Sequence, residues 1–220
     1  MKGRRSSSVS IASERLFQLV RNCSTTLSAE RVRGMPTGFN KSERRSMSKK
    51  TSVENNNNFR MIFLGASSVG KTSIISQFLE GIFPTKYKET LQDIFVGQLE
   101  LGGSTLLLSI EDTGGSYLQD FPAMAKLSLD HADGAVLVFG VDDAESFEEV
   151  SRMRDFLLSY WPCMPMVIVG NKIDKERKLP ALEIEATVCL DWECGYVECS
   201  ARDSVEEIFK EMASQAKIST

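Results

Sequence analysis

Two glycines, a lysine and a threonine fall within eight residues, Gly65-Ala66-Ser67-Ser68-Val69-Gly70-Lys71-Thr72, at a spacing suited to gripping an anion. Glycine at both ends lets the backbone curl so that successive N–H groups point inward, and a helix beginning at the far end adds partial positive charge. Lys71 then contacts the outer phosphates of a nucleotide, and the Thr72 hydroxyl ligates Mg²⁺. A second cluster is Asp112-Thr113-Gly114-Gly115. An acidic side chain there holds Mg²⁺, usually through water, opposite the Thr72 hydroxyl, and a glycine backbone lets a terminal phosphate approach closely. The third is Asn171-Lys172-Ile173-Asp174. Its Asp174 is able to accept paired hydrogen bonds from the N1–H and exocyclic amino group of guanine, which adenine does not offer. Each short tetrad alone is an ordinary turn of common loop residues. Their order behind a phosphate loop is what gives them weight.

These groups need elements to position them. Phe59 to Leu64 is a short apolar run of buried-strand character, and from Thr72 to Glu80 the residues Ile74, Ile75, Phe78 and Leu79 recur at helical spacing, so the glycine loop sits where strand becomes helix. After Gly81 comes an irregular stretch, Ile82 to Leu91. Ile94–Leu101 and Thr105–Ile110, joined at Gly102-Gly103, read as a hairpin. Gly134–Val141, Met166–Gly170 and Gly195–Cys199 read as further strands, and Ser146–Tyr160, Ala181–Glu193 and Val205–Lys217 as helices. Alternating strands and helices predict an α/β fold: a mainly parallel six-stranded sheet with one antiparallel edge strand and helices on both faces. The Asn171–Asp174 tetrad then falls outside the carboxyl end of a strand, where open α/β sheets bind ligands.

Composition sets limits. A chain of 220 residues, 42% hydrophobic and 25% charged, suits one globular domain with a tail to spare. No apolar run reaches the length of a membrane helix. Cys23, Cys163, Cys189, Cys194 and Cys199 are odd in number, lack CxxC spacing and have only His131 for company, which argues against zinc or a disulfide framework and for a reduced, intracellular compartment. The net charge of −4 is unevenly spread. Residues 1–58 carry 12 Lys and Arg against 4 Asp and Glu, a net of +8; the rest carry 14 against 26, a net of −12. The 1–58 extension is basic, Ser-rich and short of large apolar residues, and disorder is expected for most of it. Within it, Val9 to Val20 places Val9, Ala12, Leu16, Phe17, Leu19 and Val20 near helical spacing beside Arg15 and Arg21. Three readings of that stretch stay open: plain tail, contact with an anionic membrane or a partner, and targeting. Arg4-Arg5-Ser6-Ser7 resembles a site for basophilic kinases.

With these motifs in place, residues 59–217 resemble the small GTPases of the Ras superfamily, with 218–220 as the chain end. Gly65–Thr72 looks like that family's phosphate loop, Asp112–Gly115 like its DxxG, Asn171–Asp174 like its NKxD, and Cys199-Ser200-Ala201 like its base loop. Tyr87-Lys88-Glu89-Thr90 resembles the first switch. Phe121-Pro122-Ala123-Met124 with Leu127-Ser128 resembles the second switch of the Dexras/Rhes and Di-Ras branch of the Ras subfamily.

The resemblance implies a small G-protein fold and a switch that binds GTP or GDP with Mg²⁺ and hydrolyses GTP. It implies nucleotide binding by Gly65, Ala66, Ser67, Ser68, Val69, Gly70, Lys71, Thr72, Phe83, Thr90, Asp112, Gly115, Asn171, Lys172, Asp174, Ser200 and Ala201. Mg²⁺ is expected at Thr72, Thr90 and Asp112, and catalysis from Lys71, Thr90, Gly115 and Ser116. Phe83, which its own neighbourhood reads as a core anchor, would stack on the guanine. Effector proteins are expected through Tyr87 to Asp93 and the second switch, with an exchange factor, no nucleic acid and a monomeric chain.

The sequence departs from the family at two catalytic positions. Many members carry Gln directly after DxxG to orient the attacking water, where Ser116 stands; many carry Gly at the position of Ser67, leaving room for an arginine finger. Slow hydrolysis is therefore expected, with Gln119 as the alternative water contact. The chain shows no Cys near Lys217–Thr220 to prenylate and begins Met1-Lys2, so neither usual lipid signal is expected in it. A cytoplasmic protein is expected, with weak peripheral contact at the inner face of the plasma membrane through the basic extension. Two other readings stand beside the switch: a GTP-loaded scaffold with negligible hydrolysis, and a P-loop kinase of a small metabolite. The kinase needs a lid with several arginines, and between the second motif and the last strand the sequence offers only Arg152 and Arg154 on a helix and Arg177 in a loop.

Overall fold

Gly134–Gly140 is buried at every residue, the condition of a parallel strand covered by helices on both faces. It is an interior strand of the sheet, flanked by parallel neighbours on both sides. The computed structural model describes residues 30–31, 58–86, 88–101 and 103–218. In chain order its elements are β1 (Glu30–Arg31), β2 (Asn58–Leu64), α1 (Lys71–Glu80), β3 (Gln92–Leu101), β4 (Ser104–Thr113), α2 (Tyr117–Asp120) and α3 (Pro122–His131). Then follow β5 (Gly134–Gly140), α4 (Ala144–Tyr160), β6 (Met166–Asn171), α5 (Ala181–Ala186), a π-helical turn at Thr187–Asp191, β7 (Gly195–Glu198) and α6 (Glu206–Gln215).

The strands lie in the order β1-β3-β4-β2-β5-β6-β7. β4, β2, β5, β6 and β7 run parallel and β3 is antiparallel to β4, which is the six-stranded sheet expected from the alternating pattern. One strand was not legible. β1, only two residues long and inside the basic extension, pairs antiparallel with the outer side of β3, Glu30 opposite Val96 and Arg31 opposite Phe95. A pair of residues has no alternation to read. The other expectations for the extension, including the Val9–Val20 stretch and the Ser7 site, lie outside the described residues. Among the described residues no helix is long and apolar enough to cross a membrane.

Period-two alternation along β2 divides the core. Met61 and Phe63 enter one layer with Ile74, Ile75, Phe78, Phe209 and Met212, while Ile62 and Leu64 enter the other with Leu129, Phe139, Val150 and Leu157. In the first layer Phe78 of α1 stacks on Phe209 of α6 at 3.5 Å between ring centroids, and Phe63 meets Phe209 at 6.1 Å. This contact holds the phosphate-loop helix to the end of the domain. Phe209→Ala is expected to cost about 3–5 kcal/mol, the usual penalty for emptying a buried aromatic site, read as a lower urea midpoint. A midpoint equal to the parent's would show that α6 does not anchor α1.

Two helices escaped the sequence reading, α2 and α3. In α3 only Ala125 and Leu129 are buried, while Met124 and Leu127 face solvent at 50% and 61% exposure. So narrow a stripe leaves no periodicity. The helix read as Ala181–Glu193 is α-helical only to Ala186 before the π turn, and both hairpin strands run further than their apolar cores, β4 reaching Thr113. That extra length carries Asp112 to the sheet's upper edge.

Candidate functional site

The glycine loop joins β2 to α1 with Gly70 as the residue before the helix, at φ 103°. A Cβ on Gly70 would fall 2.2 Å from Asn171 Nδ2, so a backbone without a side chain is what admits Asn171 here. Val69 is buried in the core and fixes the loop from below; Ser67 and Ser68 are exposed on its crest. Lys71 is buried, and its Nζ donates to the carbonyls of Gly65 at 2.8 Å and Ala66 at 2.9 Å. An ammonium has three N–H bonds, so one donor remains for a ligand. Burial pulls the Lys71 pKa down to about 8, opposed by the charge of Asp112.

Three oxygen-bearing side chains converge beside it. Thr72 Oγ1 donates to Asp112 Oδ2 at 2.6 Å and lies 3.1 Å from Thr90 Oγ1. Asp112 is fully buried, and its other oxygen, Oδ1, has no hydrogen-bond partner among the described residues. Burial raises its pKa to about 6, against the Thr72 hydrogen bond and the Lys71 charge. A buried carboxylate with an orphaned oxygen, next to two hydroxyls, is a hard-oxygen donor set with one acceptor unspent, so these residues fit Mg²⁺. A cleft of about 450 Å³ opens over the loop, bounded by Phe83, Lys88, Thr90 and Gly114–Gly115. Tyr87 lies outside the described residues.

Gly114 N–H donates to Leu91 O at 3.0 Å, tying the second cluster to the stretch that carries Thr90. Gly115 lies hard against the loop: a Cβ on it would fall 2.2 Å from Ser67 Oγ and 2.3 Å from Ser67 N. The Ser116 hydroxyl donates a hydrogen bond to the Asp120 carboxylate.

At the other end, Asn171 is buried and links both halves of the site. Its Nδ2 donates to Val69 O at 2.8 Å, and its Oδ1 accepts from Ala201 N at 3.0 Å. Asp174 Oδ1 accepts from Ser200 Oγ at 2.8 Å. Lys172, at φ 70°, places its Nζ 3.3 Å from Asp142 Oδ1. Phe83 is half-buried and packs on the core. The glycine loop, Asp112 and the Asp174 tetrad are thus gathered along one edge of the sheet, the loop and the tetrad joined through Asn171.

A family model described as the Ras family matches residues 60–218. The chain belongs to the Ras family. It is 40% identical over 177 residues to the GTP-binding protein Rhes of Mus musculus and to that of Rattus norvegicus, covering 74% of this chain and 66% of each relative. To the GTP-binding protein Rhes of Homo sapiens it is 40% identical over 182 residues, covering 76% of this chain and 68% of the relative. The chain spans about two thirds of the length of the curated relatives it matches.

Within this Ras-family site, several supporting contacts were not anticipated from sequence. The Arg202 guanidinium lies over the Phe83 ring at 4.7 Å, with its Nε 3.4 Å from Asp174 Oδ2. Thr113 Oγ1 donates to Phe63 O at 2.7 Å and locks β4 to β2 beside Asp112. The loop after Asp174 is pinned at both ends, Lys175 on Asp142 at 2.8 Å and Arg177 on Glu198 at 2.5 Å. Arg202 had a signal, since it directly follows Ser200-Ala201. Glu198 and Asp142 had none, because their partners lie on other elements.

Proposed function

We propose that this chain is a guanine-nucleotide switch that binds GTP and GDP with Mg²⁺, hydrolyses GTP slowly and acts in signal transduction. The observation that carries it is the meeting of Thr72, Thr90 and Asp112 beside Lys71, joined through Asn171 to Asp174. In this reading Thr72, Thr90 and Asp112 hold Mg²⁺, which when bound neutralises charge on the terminal phosphates. The free N–H of Lys71 binds a phosphate oxygen, the loop N–H groups from Ala66 to Thr72 cradle the chain of phosphates, and Gly115 brings its own N–H to the terminal one. Asp174 takes the guanine edge while Ser200 and Ala201 hold the base loop, and Phe83 covers the ring. Thr90 and Gly115 both sense the terminal phosphate, so its loss releases both switches together.

Effector proteins and an exchange factor meet the stretch up to Asp93 and the second switch, a reading supported by the exposure of Leu91, Phe121, Met124 and Leu127. The net charge of +8 on residues 1–58 supports salt-sensitive contact with an anionic membrane.

Slow hydrolysis follows from two positions. In-line attack needs an oriented water, and the Ser116 hydroxyl, on one short carbon, is already committed to Asp120. Ser67 fills the space against Gly115 into which a partner's arginine would reach. Single-turnover GTP hydrolysis checks this on the parent, on Ser116→Gln, and on Ser116→Gln combined with Ser67→Gly. The first substitution is expected to raise the rate, by up to roughly 10² if the amide positions the water as a catalytic side chain does, and the second to restore response to an arginine finger. Equal rates in all three would show that these residues do not set the speed. No detectable turnover in the parent, with GTP retained, would favour the scaffold reading, which the Ser116–Asp120 contact also supports.

A further inference from the structure

Among the described residues, no helix covers the outer face of β3 and β4 beside α3. Ile94, Val96 and Leu107 stand there 47%, 38% and 42% exposed although apolar. They line a groove of about 370 Å³ whose far wall is Ser128 and His131 of α3. Single exposed apolar residues are ordinary, but a contiguous run in a concave surface marks a contact.

We propose that residues 9–20 of this same chain dock in that groove as an amphipathic helix. Three observations point to this occupant. First, β1 anchors the extension at the groove itself, since Glu30 pairs opposite Val96. Because β1 is antiparallel to β3, the chain enters it from the Gly97 end, and only residues 21–29 separate Val20 from the anchor. Nine residues reach at most about 30 Å, which holds the segment beside the groove at an effective concentration on the order of millimolar. Second, Val9, Ala12, Leu16, Leu19 and Val20 follow the i, i+3, i+7, i+10, i+11 spacing of one helix face, the pattern that fills apolar grooves. Third, net charge draws the two parts together: residues 1–21 carry Lys2, Arg4, Arg5, Arg15 and Arg21 against Glu14 and the domain carries a net charge of −12, while in the groove itself Arg60 and Glu111 balance, so its walls are apolar contacts first.

The groove also reports on the second switch. Tyr117 OH lies 3.1 Å from Ser128 Oγ and 3.3 Å from Glu111 Oε1, both groove residues. A helix seated there leans on the wall that Tyr117 braces, and it withholds its apolar face from any membrane.

Hydrogen–deuterium exchange of the full-length protein tests the docking. In the parent, peptides covering residues 9–20 are expected to be protected, and Leu107→Asp in the groove or Leu16→Asp with Phe17→Asp in the segment is expected to abolish that protection. Exchange in α1 and β6 should not change in the segment variant, which leaves the domain untouched, so the result stands even if Leu107→Asp unfolds. Binding to phosphatidylserine vesicles is expected to rise in Leu107→Asp, because the released segment becomes available. Residues 9–20 exchanging at the rate of a free chain in the parent would overturn the proposal. So would protection that arises only on adding vesicles, which would assign the segment to the membrane.

Discussion

Asp174→Asn is expected to lose GTP affinity by roughly 10²-fold or more and to gain affinity for xanthine nucleotides. The Asp174 carboxylate is held by Ser200 Oγ at 2.8 Å on Oδ1 and by Arg202 Nε at 3.4 Å on Oδ2, and each oxygen keeps a further lone pair with which to accept from a base. Guanine offers two N–H donors to that pair. An amide in its place sets a donor against a donor, and each base group left unpaired costs about 1–3 kcal/mol, where 1.4 kcal/mol is a factor of ten. Xanthine replaces the exocyclic amino group with a carbonyl, which the new amide N–H matches. A fluorescent-nucleotide titration of both proteins with both nucleotides reads this directly. Unchanged GTP affinity would remove Asp174 from base recognition, whatever the fate of the phosphate end.

Asp112→Asn is expected to separate folding from function. In the parent a carboxylate is fully buried with Oδ1 unpaired among the described residues, a cost to the nucleotide-free protein that a cation at the proposed site would offset. Removing the charge should leave nucleotide-free stability unchanged or raise it, by up to about 1–3 kcal/mol, while weakening hold on Mg²⁺ and nucleotide. In the parent, chelating Mg²⁺ with EDTA should speed GDP release greatly; in Asp112→Asn release should be fast with or without chelator. Thermal melts without nucleotide and release of labelled GDP with and without EDTA form the test. A variant that melts lower and still responds fully to EDTA would mean that Asp112 is a structural residue and the cation is held elsewhere.

Sequence alone determined the three motifs and their order, because each binds through contiguous backbone whose shape is set locally by glycines and by the strand-to-helix junction. It also determined the buried strands β5 and β6, whose apolar runs admit no other environment, and the departures at Ser67 and Ser116, which are matters of residue type. Tertiary structure alone decided how these pieces meet. Thr72 and Thr90 come within 3.1 Å across 18 residues, and Asn171 reaches Val69 across 102, because β4, β2 and β6 end at the same edge of the sheet. Ser116 bonding to Asp120 required α2, a helix too short to show a period, and α3 stayed hidden because only two of its residues are buried. The pairing of Glu30 with Val96 was invisible for a different reason: strand pairing is bought with backbone hydrogen bonds, which leave no trace in side-chain pattern when the strand is two residues long.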